Sequence, residues 1–465
     1  MKVLTLNCGS SSVKYMLYNW DEKAIMAKGI VERVTIGGTY CIHEAIGRSK
    51  IRIDCDCLNH AAAVKLILDT LTHSNYGVIN DLSEVNAVGH RVVHGGENFS
   101  ESVIIDDTVL QTIKNLASLA PLHNPYNILG IEVTKKFLPN IPHIAIFDTA
   151  WHQTLQPPQY LYATPYDWYK KYRIRRYGFH GTSFLYVSRR AAVLLDKEPS
   201  KCDLIILHIG NGASANAVKN GVSFDTSMGF TPLEGLVMGT RAGDHDVAID
   251  LYIMEKENYS TKEIYNVLNK KSGLLGITGK YIDRRDIMEA IKKGDKQAKL
   301  ALEIEAYRIK KYIGAYMAAL GGADAIVWTA GAGEMFDTLR AKAMDGLEFM
   351  GIKYDPNKNK LARSQNAEFD ISASDSKLKI FVIPTDEEQV FVEEVIKAID
   401  GRYHKHTKFK YSFEERNYRN KIRDREFIRE LEEEPRKAIA LAQPFPDELL
   451  PDKAKPYAWW LKKLI

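Results

Sequence analysis

The sequence predicts an α/β fold in which one domain plan occurs twice. Along most of the 465 residues, apolar segments typical of strands alternate with segments typical of helices. A strand, a small polar turn with glycine and a second strand occur at the start of the chain and again half a chain later. Together these patterns predict two related domains with an active site between them.

The repeated element is a β-hairpin. Residues 3–20 read VLTLNCGSSSVKYMLYNW, and residues 204–221 read LIILHIGNGASANAVKNG. In this alignment Asn7 corresponds to His208, and Gly9 corresponds to Gly210. The similarity is short, so the duplication is an expectation that the strand order of the structure must decide.

Later segments continue the α/β pattern. Strands that end in polar or glycine-containing sequence are predicted within 85–96, 141–150, 323–334 and 379–388. Residues 295–320 have apolar side chains at helical spacing and predict a long helix. The polar residues therefore fall at the carboxyl ends of strands, where α/β folds bind their ligands.

Composition excludes several classes of protein. The 63 basic and 59 acidic residues leave a formal net charge of +4, which gives no basis for nucleic-acid binding. No apolar run is long enough to span a bilayer. The five cysteines are odd in number and form no pair of CxxC units. We therefore expect a reduced, cytoplasmic protein without a membrane span.

The first hairpin turn has the composition of a phosphate-binding turn. Ser10, Ser12 and the intervening serine offer hydroxyls and backbone N–H groups, and Lys14 adds a positive charge. An ordinary polar hairpin turn is the alternative for one such turn. The second turn, around Gly210, and the segment TAGAGE at 329–334 favour phosphate binding. None of them matches the P-loop pattern.

Two arginines lie in glycine-bounded loops. Arg91 falls in GHRVVHGG and Arg241 in MGTRAGDHD, and the arginine fork suits carboxylate or phosphate. A surface ion pair is the alternative for either one alone. Asp148 and Glu387 are acids at strand ends, where a metal ligand or a base is often found. One Asn, one Asp and one Glu suit Mg²⁺ better than Zn²⁺.

Eight motifs in order make the chain resemble the acetate kinase family, within the superfamily of acetate and sugar kinases, Hsp70 and actin. The resemblance covers residue 1 to about residue 398. The motifs are LNCGSSSVKY, GHRVVHGG, PLHNP, FDTAWHQT, RRYGFHGTS, LHIGNGAS, MGTRAGDHD and IPTDEE. The resemblance implies duplicated ribonuclease H-like (actin-like ATPase) domains with the active site in the interdomain cleft.

The resemblance also implies an activity. Family members transfer a phosphoryl group reversibly between ATP and a short-chain carboxylate, giving ADP and an acyl phosphate. The implied cofactor is Mg²⁺, with Mn²⁺ as an alternative, and the implied assembly is a homodimer. The expected enzyme is thus an acetate kinase, a phosphotransferase with a carboxyl group as acceptor and direct in-line transfer.

Roles for single residues follow from the same resemblance. The implied metal site is Asn7 and Glu387. The implied catalytic residues are Arg91, His123, Asp148, His180 and Arg241. The implied substrate pocket is Arg91 with Val93, Leu122 and Pro232. The implied nucleotide-binding residues are Ser10, Ser12, Lys14, His208, Ile209, Gly210, Asn211, Gly212, Asp283, Arg284, Arg285, Gly331, Ala332, Gly333, Glu334 and Met335.

The expected domain limits combine the resemblance with a change in composition near residue 400. An N-terminal domain covers 1–150 and is completed by about 386–400. A nucleotide-binding and dimerisation domain covers 151–385. The extension, 401–465, has no counterpart in the family pattern and predicts a charged helix followed by a proline- and tryptophan-rich strap. The strap packs on the protein itself in one interpretation, and binds a partner or touches a membrane surface in others.

Three features leave alternatives open. Arg284, Ala332 and Met335 depart from residues common in the family at the nucleotide, so the donor preference is open. A propionate-preferring kinase is the alternative enzyme, and Val93 favours the smaller acid. A non-catalytic nucleotide-binding regulator is the alternative outside the enzymes.

Overall fold

The computed structural model describes residues 1–121, 123–401 and 409–461. Two compact units make up the chain. The first unit consists of Met1–Gln153 and Asp386–Lys410. The second consists of Thr154–Thr385 and Tyr411–Ile465.

The first unit begins with three long antiparallel strands. Its strands are β1 (Lys2–Cys8), β2 (Ser12–Asn19), β3 (Ala24–Glu32), β4 (Tyr40–Ala45), β5 (Ile51–Asp54), β6 (Ala87–Val92), β7 (Val103–Ile104) and β8 (His143–Phe147). Its first helices are α1 (His60–Leu71), α2 (Asp107–Asn115) and α3 (Asn124–Phe137). The sheet order is β5-β4-β3-β2-β1-β6-β8-β7. β6 joins β1 in parallel, and β8 joins β6 in parallel.

The second unit repeats this plan. Its helices are α4 (Pro157–Tyr160), α5 (Tyr166–Tyr172), α6 (Gly181–Leu194), α7 (Ala248–Glu257), α8 (Thr261–Lys270), α9 (Gly273–Thr278), α10 (Arg284–Lys292), α11 (Lys296–Leu320), α12 (Ala330–Met335), α13 (Asp337–Met344) and α14 (Pro356–Leu361). Its strands are β9 (Leu204–Ile209), β10 (Ala213–Lys219), β11 (Val222–Thr226), β12 (Ala325–Thr329), β13 (Phe369–Asp370) and β14 (Lys379–Val382).

Strand order confirms the predicted duplication. The second sheet runs β11-β10-β9-β12-β14-β13, with three antiparallel strands followed by two parallel additions at β9. The core of the first sheet, β3-β2-β1-β6-β8, has the same order and the same directions. The fold class is therefore the duplicated α/β class that the recurring hairpin predicts.

The chain returns to the first unit as α15 (Glu387–Ile399). Its apolar face packs on the first sheet, with Phe391 and Val395 against Val3, Met16 and Ile144. All five side chains are buried. Burial of this face fixes α15 at the sheet, and Glu387 is its first residue.

The C-terminal extension packs on the second unit. Its helix, α16 (Lys421–Glu433), buries Phe427 and Leu431 completely. Leu441 forms a β-bridge with Phe369 of β13, so the strap continues the edge of the second sheet. Trp460 is 9% exposed and donates to Asp447. The helix and strap that the sequence predicts are thus an integral layer of this unit.

Exposed apolar side chains cluster on one helix of the second unit. Val247, next to α7, and Leu251 and Tyr252, within it, are 73%, 69% and 59% exposed. None of the helices in the described ranges is both long enough and apolar enough to cross a membrane.

Candidate active site

Helix α3 joins the ends of β1 and β6 in the first unit. The Asn127 side chain donates to the carbonyl of Cys8 at 2.8 Å and accepts from the N–H of Val93 at 3.0 Å. A methyl group at Gly130 would overlap the sulfur of Cys8, so glycine permits this close approach. Asn124 makes a similar pair of bonds with the backbone of His94. The two strand ends that bear Asn7 and Arg91 are therefore held together by side chains that the sequence analysis missed.

Arg91 is bound by Asp148 through two hydrogen bonds. Nε and Nη2 of Arg91 donate to the carboxylate oxygens at 2.9 and 2.6 Å. Burial disfavours the charged guanidinium, but attraction to Asp148, and to Glu387 and Glu388, outweighs it and raises the pKa of Arg91. Because Asp148 is only 1% exposed, the pair fixes the orientation of the guanidinium.

The first hairpin turn is held by α1. The N–H of Gly9 donates to the carbonyl of Ser12 at 2.8 Å, and its carbonyl accepts from Nε2 of His60 at 2.6 Å. Asn7 and Lys14 are directly opposite each other in the β1–β2 register, so their side chains share one face of the sheet. Ser10 and Lys14 are exposed. The predicted phosphate-binding residues of this turn are therefore accessible.

Three oxygen-bearing side chains of the first unit fit Mg²⁺. Asn7 supplies an amide oxygen, and Asp148 and Glu387 supply carboxylates. Across the described segments, no group of three or more His, Cys, Asp or Glu side chains is arranged to enclose a metal ion. Mg²⁺ prefers a few protein oxygens and completes its shell with water and phosphate oxygens, which suits an amide and two carboxylates.

The structure describes only some of the residues predicted for the acid pocket. Val93 lies in the first unit and is 7% exposed, and Pro232 belongs to the second unit. Leu122 lies outside the described residues. His123 precedes α3, where its carbonyl accepts from the N–H groups of Tyr126 and Asn127. The roles of these residues stay predictions.

Two stacked histidines form the centre of the site residues in the second unit. The rings of His180 and His208 are parallel, with centroids 4.1 Å apart. Nδ1 of His180 shares a hydrogen bond with Oγ of Ser214, and Nδ1 of His208 shares one with Oγ of Ser183, both at 2.8 Å. His180 also has a left-handed backbone, with φ of 58°. The two serines, which sequence analysis missed, fix both rings.

Arg241 is a half-buried cation beside His180. Burial lowers the pKa of its guanidinium. Nη1 donates to the carbonyl of Pro232 at 3.4 Å and contacts the sulfur of Met238 at 3.7 Å. No carboxylate in the described parts of the chain forms an ion pair with it. A methyl group at Gly212 would lie 3.5 Å from Nη1 of Arg241 and 3.6 Å from Nε2 of His180, so the three residues converge.

The second hairpin turn is supported by Arg284. Its Nη1 donates to the carbonyl of Gly210 at 3.0 Å, while Nε and Nη2 bind Glu305. Arg284 and Glu305 are 7% and 1% exposed. The N–H of Gly239 donates to the carbonyl of Asn211 at 2.9 Å. The charge of Arg284 is thus balanced by Glu305, and its contact with the turn is made through one backbone carbonyl.

The other nucleotide-binding candidates lie at two helix starts. Asp283 caps α10 by accepting from the N–H of Arg285 at 2.8 Å, and the two side chains form an exposed ion pair. Residues 331–335 belong to α12, whose first residue, Ala330, has a φ of 64°. Such a left-handed alanine is strained and is typical of functional loops. Arg340, buried completely, donates to the carbonyls of Gly333 and Glu334.

Comparison with known proteins shows the family of the chain. The model of the Acetokinase family matches residues 2–393. Acetate kinase of Geobacter metallireducens is 56% identical over 418 residues, covering 90% of this chain and 99% of the relative. Acetate kinase of Treponema pallidum is 54% identical and covers 94% of this chain and 97% of the relative. An alignment of 436 residues must include part of residues 401–465, so part of the extension aligns with this relative.

Two solved structures resemble the chain throughout their length. The crystal structure of Porphyromonas gingivalis acetate kinase has a TM-score of 0.81 and 45% identity, covering 86% of this chain and 99% of that one. The crystal structure of a propionate kinase from Francisella tularensis has a TM-score of 0.79 and 40% identity, and the match covers 85% of this chain and 99% of that one. These similarities define the chain as a phosphotransferase with a carboxyl group as acceptor. The chain belongs to the acetokinase family.

Proposed function

We propose that this chain transfers the γ-phosphoryl group of ATP reversibly to acetate, giving ADP and acetyl phosphate. Family membership and more than 50% identity to named acetate kinases support this activity. The observation that carries it is the difference between two arginines. Arg91 is neutralised by Asp148, whereas Arg241 is a half-buried cation with no carboxylate partner in the described ranges. An enzyme that brings two anions together needs positive charge placed where the negative charge of the transition state develops.

The acid is proposed to bind at Arg91. Because Nε and one N–H of Nη2 donate to Asp148, Nη1 and the second N–H of Nη2 remain for a substrate carboxylate. The ion pair also prevents the side chain from turning away. Asp148 therefore orients Arg91, and through it one carboxylate oxygen of acetate toward the phosphoryl group.

The transferring phosphoryl group is proposed to bind at Arg241 and His180. The fork of Arg241 suits phosphate oxygens, and the uncompensated charge is stabilised when an anion binds. Nε2 of His180 faces the same point because Ser214 holds Nδ1. His123 is assigned to the same group from its place in the motif PLHNP.

The reaction needs positioning and charge neutralisation more than a base. A carboxylate oxygen of acetate forms a bond to the γ-phosphorus while the bond from phosphorus to the bridging oxygen breaks, and ADP leaves with that electron pair. No proton has to move, since acetate is already ionised at neutral pH. Mg²⁺, when held by Asn7, Glu387 and the shell around Asp148, supplies charge for the phosphate oxygens. Mn²⁺ is an alternative cation.

The nucleotide is proposed to bind at the second hairpin turn, 208–212, with residues 283–285 and 331–335, while Ser10, Ser12 and Lys14 contact its phosphates. Ala332 and Met335 leave the preferred base open. GTP and pyrophosphate are therefore the donors to compare with ATP.

A preference for propionate is the second candidate. The similarity to a propionate kinase from Francisella tularensis favours it. Val93, which narrows the proposed pocket, favours the smaller acid. One methylene changes discrimination only modestly, so both acids are expected to react at different rates.

We further propose a homodimer in the cytoplasm. The exposed apolar residues Val247, Leu251 and Tyr252 support a subunit contact at α7. The free thiols of all five cysteines support a reducing compartment. Light scattering after size exclusion tests the dimer, and Leu251→Asp should shift it toward monomer.

Acyl phosphate formation tests the activity. Acetate, propionate and butyrate are each combined with ATP, GTP or pyrophosphate and Mg²⁺, and the product is trapped as the hydroxamate. Fastest turnover with acetate and ATP is expected. Fastest turnover with propionate would favour the second candidate. Folded protein that forms no hydroxamate with any combination would support the regulator instead.

A further inference from the structure

We propose that Arg423, on the C-terminal helix α16, is a positioning residue that holds the backbone leading to Glu387. The family model ends at residue 393, so this contact comes from outside the part of the chain that defines the family. The proposal rests on the role assigned to Glu387 in the proposed function. It gives the extension a part in catalysis without any contact with substrate.

The contact is a fork between one guanidinium and two consecutive carbonyls. Nη1 of Arg423 donates to the carbonyl of Pro384 at 3.1 Å, and Nη2 donates to the carbonyl of Thr385 at 2.5 Å. The planar guanidinium fixes both carbonyls at once, which the single ammonium group of lysine cannot do with the same geometry.

A second charged side chain holds the same peptide. Oε1 of Glu334, in α12, accepts from the N–H of Thr385 at 3.3 Å. Glu334 is 3% exposed, and burial raises its pKa while the charge of Arg423 opposes that rise. Both backbone polar groups of Thr385 are therefore bonded to charged side chains, one from α12 and one from the extension.

The start of α16 is itself rigidly placed. Oδ1 of Asn420 accepts from the N–H of Arg423 at 3.2 Å and caps the helix. Phe427, buried completely, packs between the rings of Phe369 and Phe445, with centroids 6.0 and 5.6 Å away. Phe369 belongs to β13, which pairs with β14. The contacts of Phe427 therefore hold α16, and with it Arg423, next to the residues that follow β14.

Glu387 follows this anchored peptide directly. Asp386 caps α15 by accepting from the N–H of Gln389 at 3.3 Å, and Glu387 is the first residue of that helix. The apolar contacts of α15 with the first sheet begin at Phe391, so the first turn, which bears Glu387, depends on the placement of the peptide that precedes it. Since misplacement of about 1 Å can cost a large factor in rate, losing the fork should lower turnover.

The test compares Arg423→Ala with Arg425→Ala in the full chain. Arg425 is exposed on the same helix and provides the matched control. Hydrogen exchange of the backbone amides in residues 383–390 is measured without ligands, and kcat and KM for acetate are measured with ATP and Mg²⁺. For Arg423→Ala we expect exchange in this segment to be about tenfold faster. We also expect kcat to be about tenfold lower with KM for acetate changed less than about twofold.

Different measurements decide the activity of the protein and the role of Arg423. Turnover by the unaltered protein and by Arg425→Ala decides the proposed function. Unchanged exchange in residues 383–390, or unchanged kcat, in Arg423→Ala would overturn the role of Arg423. If Arg423→Ala does not fold, Arg423→Lys replaces it: faster exchange and lower kcat support the fork, and values equal to the unaltered protein overturn it.

Discussion

Arg91 and Asp148 form a two-bond ion pair in which the carboxylate is 1% exposed and the guanidinium 19% exposed. The pair lies at the ends of the neighbouring parallel strands β6 and β8. The pair gives the nearly buried carboxylate of Asp148 a counter-charge and two hydrogen bonds. It also fixes the orientation of Arg91, which is proposed to bind the acid. Structure and function therefore depend on the same two hydrogen bonds.

Asp148→Asn should lower stability as well as activity. The amide keeps the size of the side chain but leaves Arg91 without its counter-charge, and breaking a buried pair costs about 3 kcal/mol. Urea unfolding measures the loss. Asp54→Asn is the control, because Asp54 also binds an arginine but is 75% exposed. A surface substitution of that kind should change the free energy of unfolding by less than about 0.5 kcal/mol. Equal stability of both variants would contradict the account.

Arg241→Gln should lower activity without lowering stability. The charge is half-buried and has no ion-pair partner in the described ranges, so its removal relieves a desolvation cost. Loss of a cation directed at the phosphoryl group should reduce kcat by about 10³. Thermal unfolding and steady-state kinetics measure the two effects. Arg416→Gln, at an 81% exposed position, is the control. A large drop in melting temperature for Arg241→Gln would assign the residue a structural role.

A buried histidine pair should make stability depend on pH. His143 donates through Nε2 to the carbonyl of Leu138, so its Nδ1 accepts from Nε2 of His90 at 2.9 Å. Burial lowers the pKa of both imidazoles, and the mutual repulsion of the two rings lowers that of His90 further. The folded state thus keeps both neutral while the unfolded chain takes up protons below about pH 6.5.

This difference in proton uptake determines how the stability changes with pH. Stability is complete above about pH 6.5 and falls as the pH decreases, by up to about 1.4 kcal/mol per pH unit for each histidine. Urea unfolding at about pH 7.5 and about pH 5.5 measures the slope. In His90→Gln, one histidine no longer takes up a proton on unfolding, so the slope of stability against pH should be smaller. An unchanged slope in that variant would show that other groups carry the acid sensitivity.

The recurring hairpin and the strands were predictable because they depend on local patterns. Strand β1 pairs with β2, and β9 pairs with β10, as the recurring hairpin predicts. Residues 295–320 form α11 with one residue less at its start. The partners of the charged and polar side chains were not predictable. Glu305 binds Arg284 across 21 positions, and Asn127 binds Cys8 across 119. Such contacts depend on the packing of helices on sheets, which no short sequence pattern specifies.

Phe427→Ala should destabilise the second unit. Phe427 is fully buried between Phe369 and Phe445, and truncation of such a ring costs about 3 to 5 kcal/mol. Because α16 is a layer of this unit, the loss should appear as a lower midpoint of urea unfolding. Exposed Tyr457→Ala is the control from the same extension. An unchanged midpoint for Phe427→Ala would show that the extension unfolds independently.

The central claim is that the phosphoryl group passes directly from ATP to the acid, with Arg91, Arg241 and His180 acting only as binding groups. If Nε2 of His180 accepted the phosphoryl group itself, the reaction would consist of two displacements at phosphorus. The decisive measurement uses ATP made chiral at the γ-phosphorus with oxygen isotopes and determines the configuration of the acetyl phosphate formed. A single in-line transfer predicts inversion, and retention would contradict it.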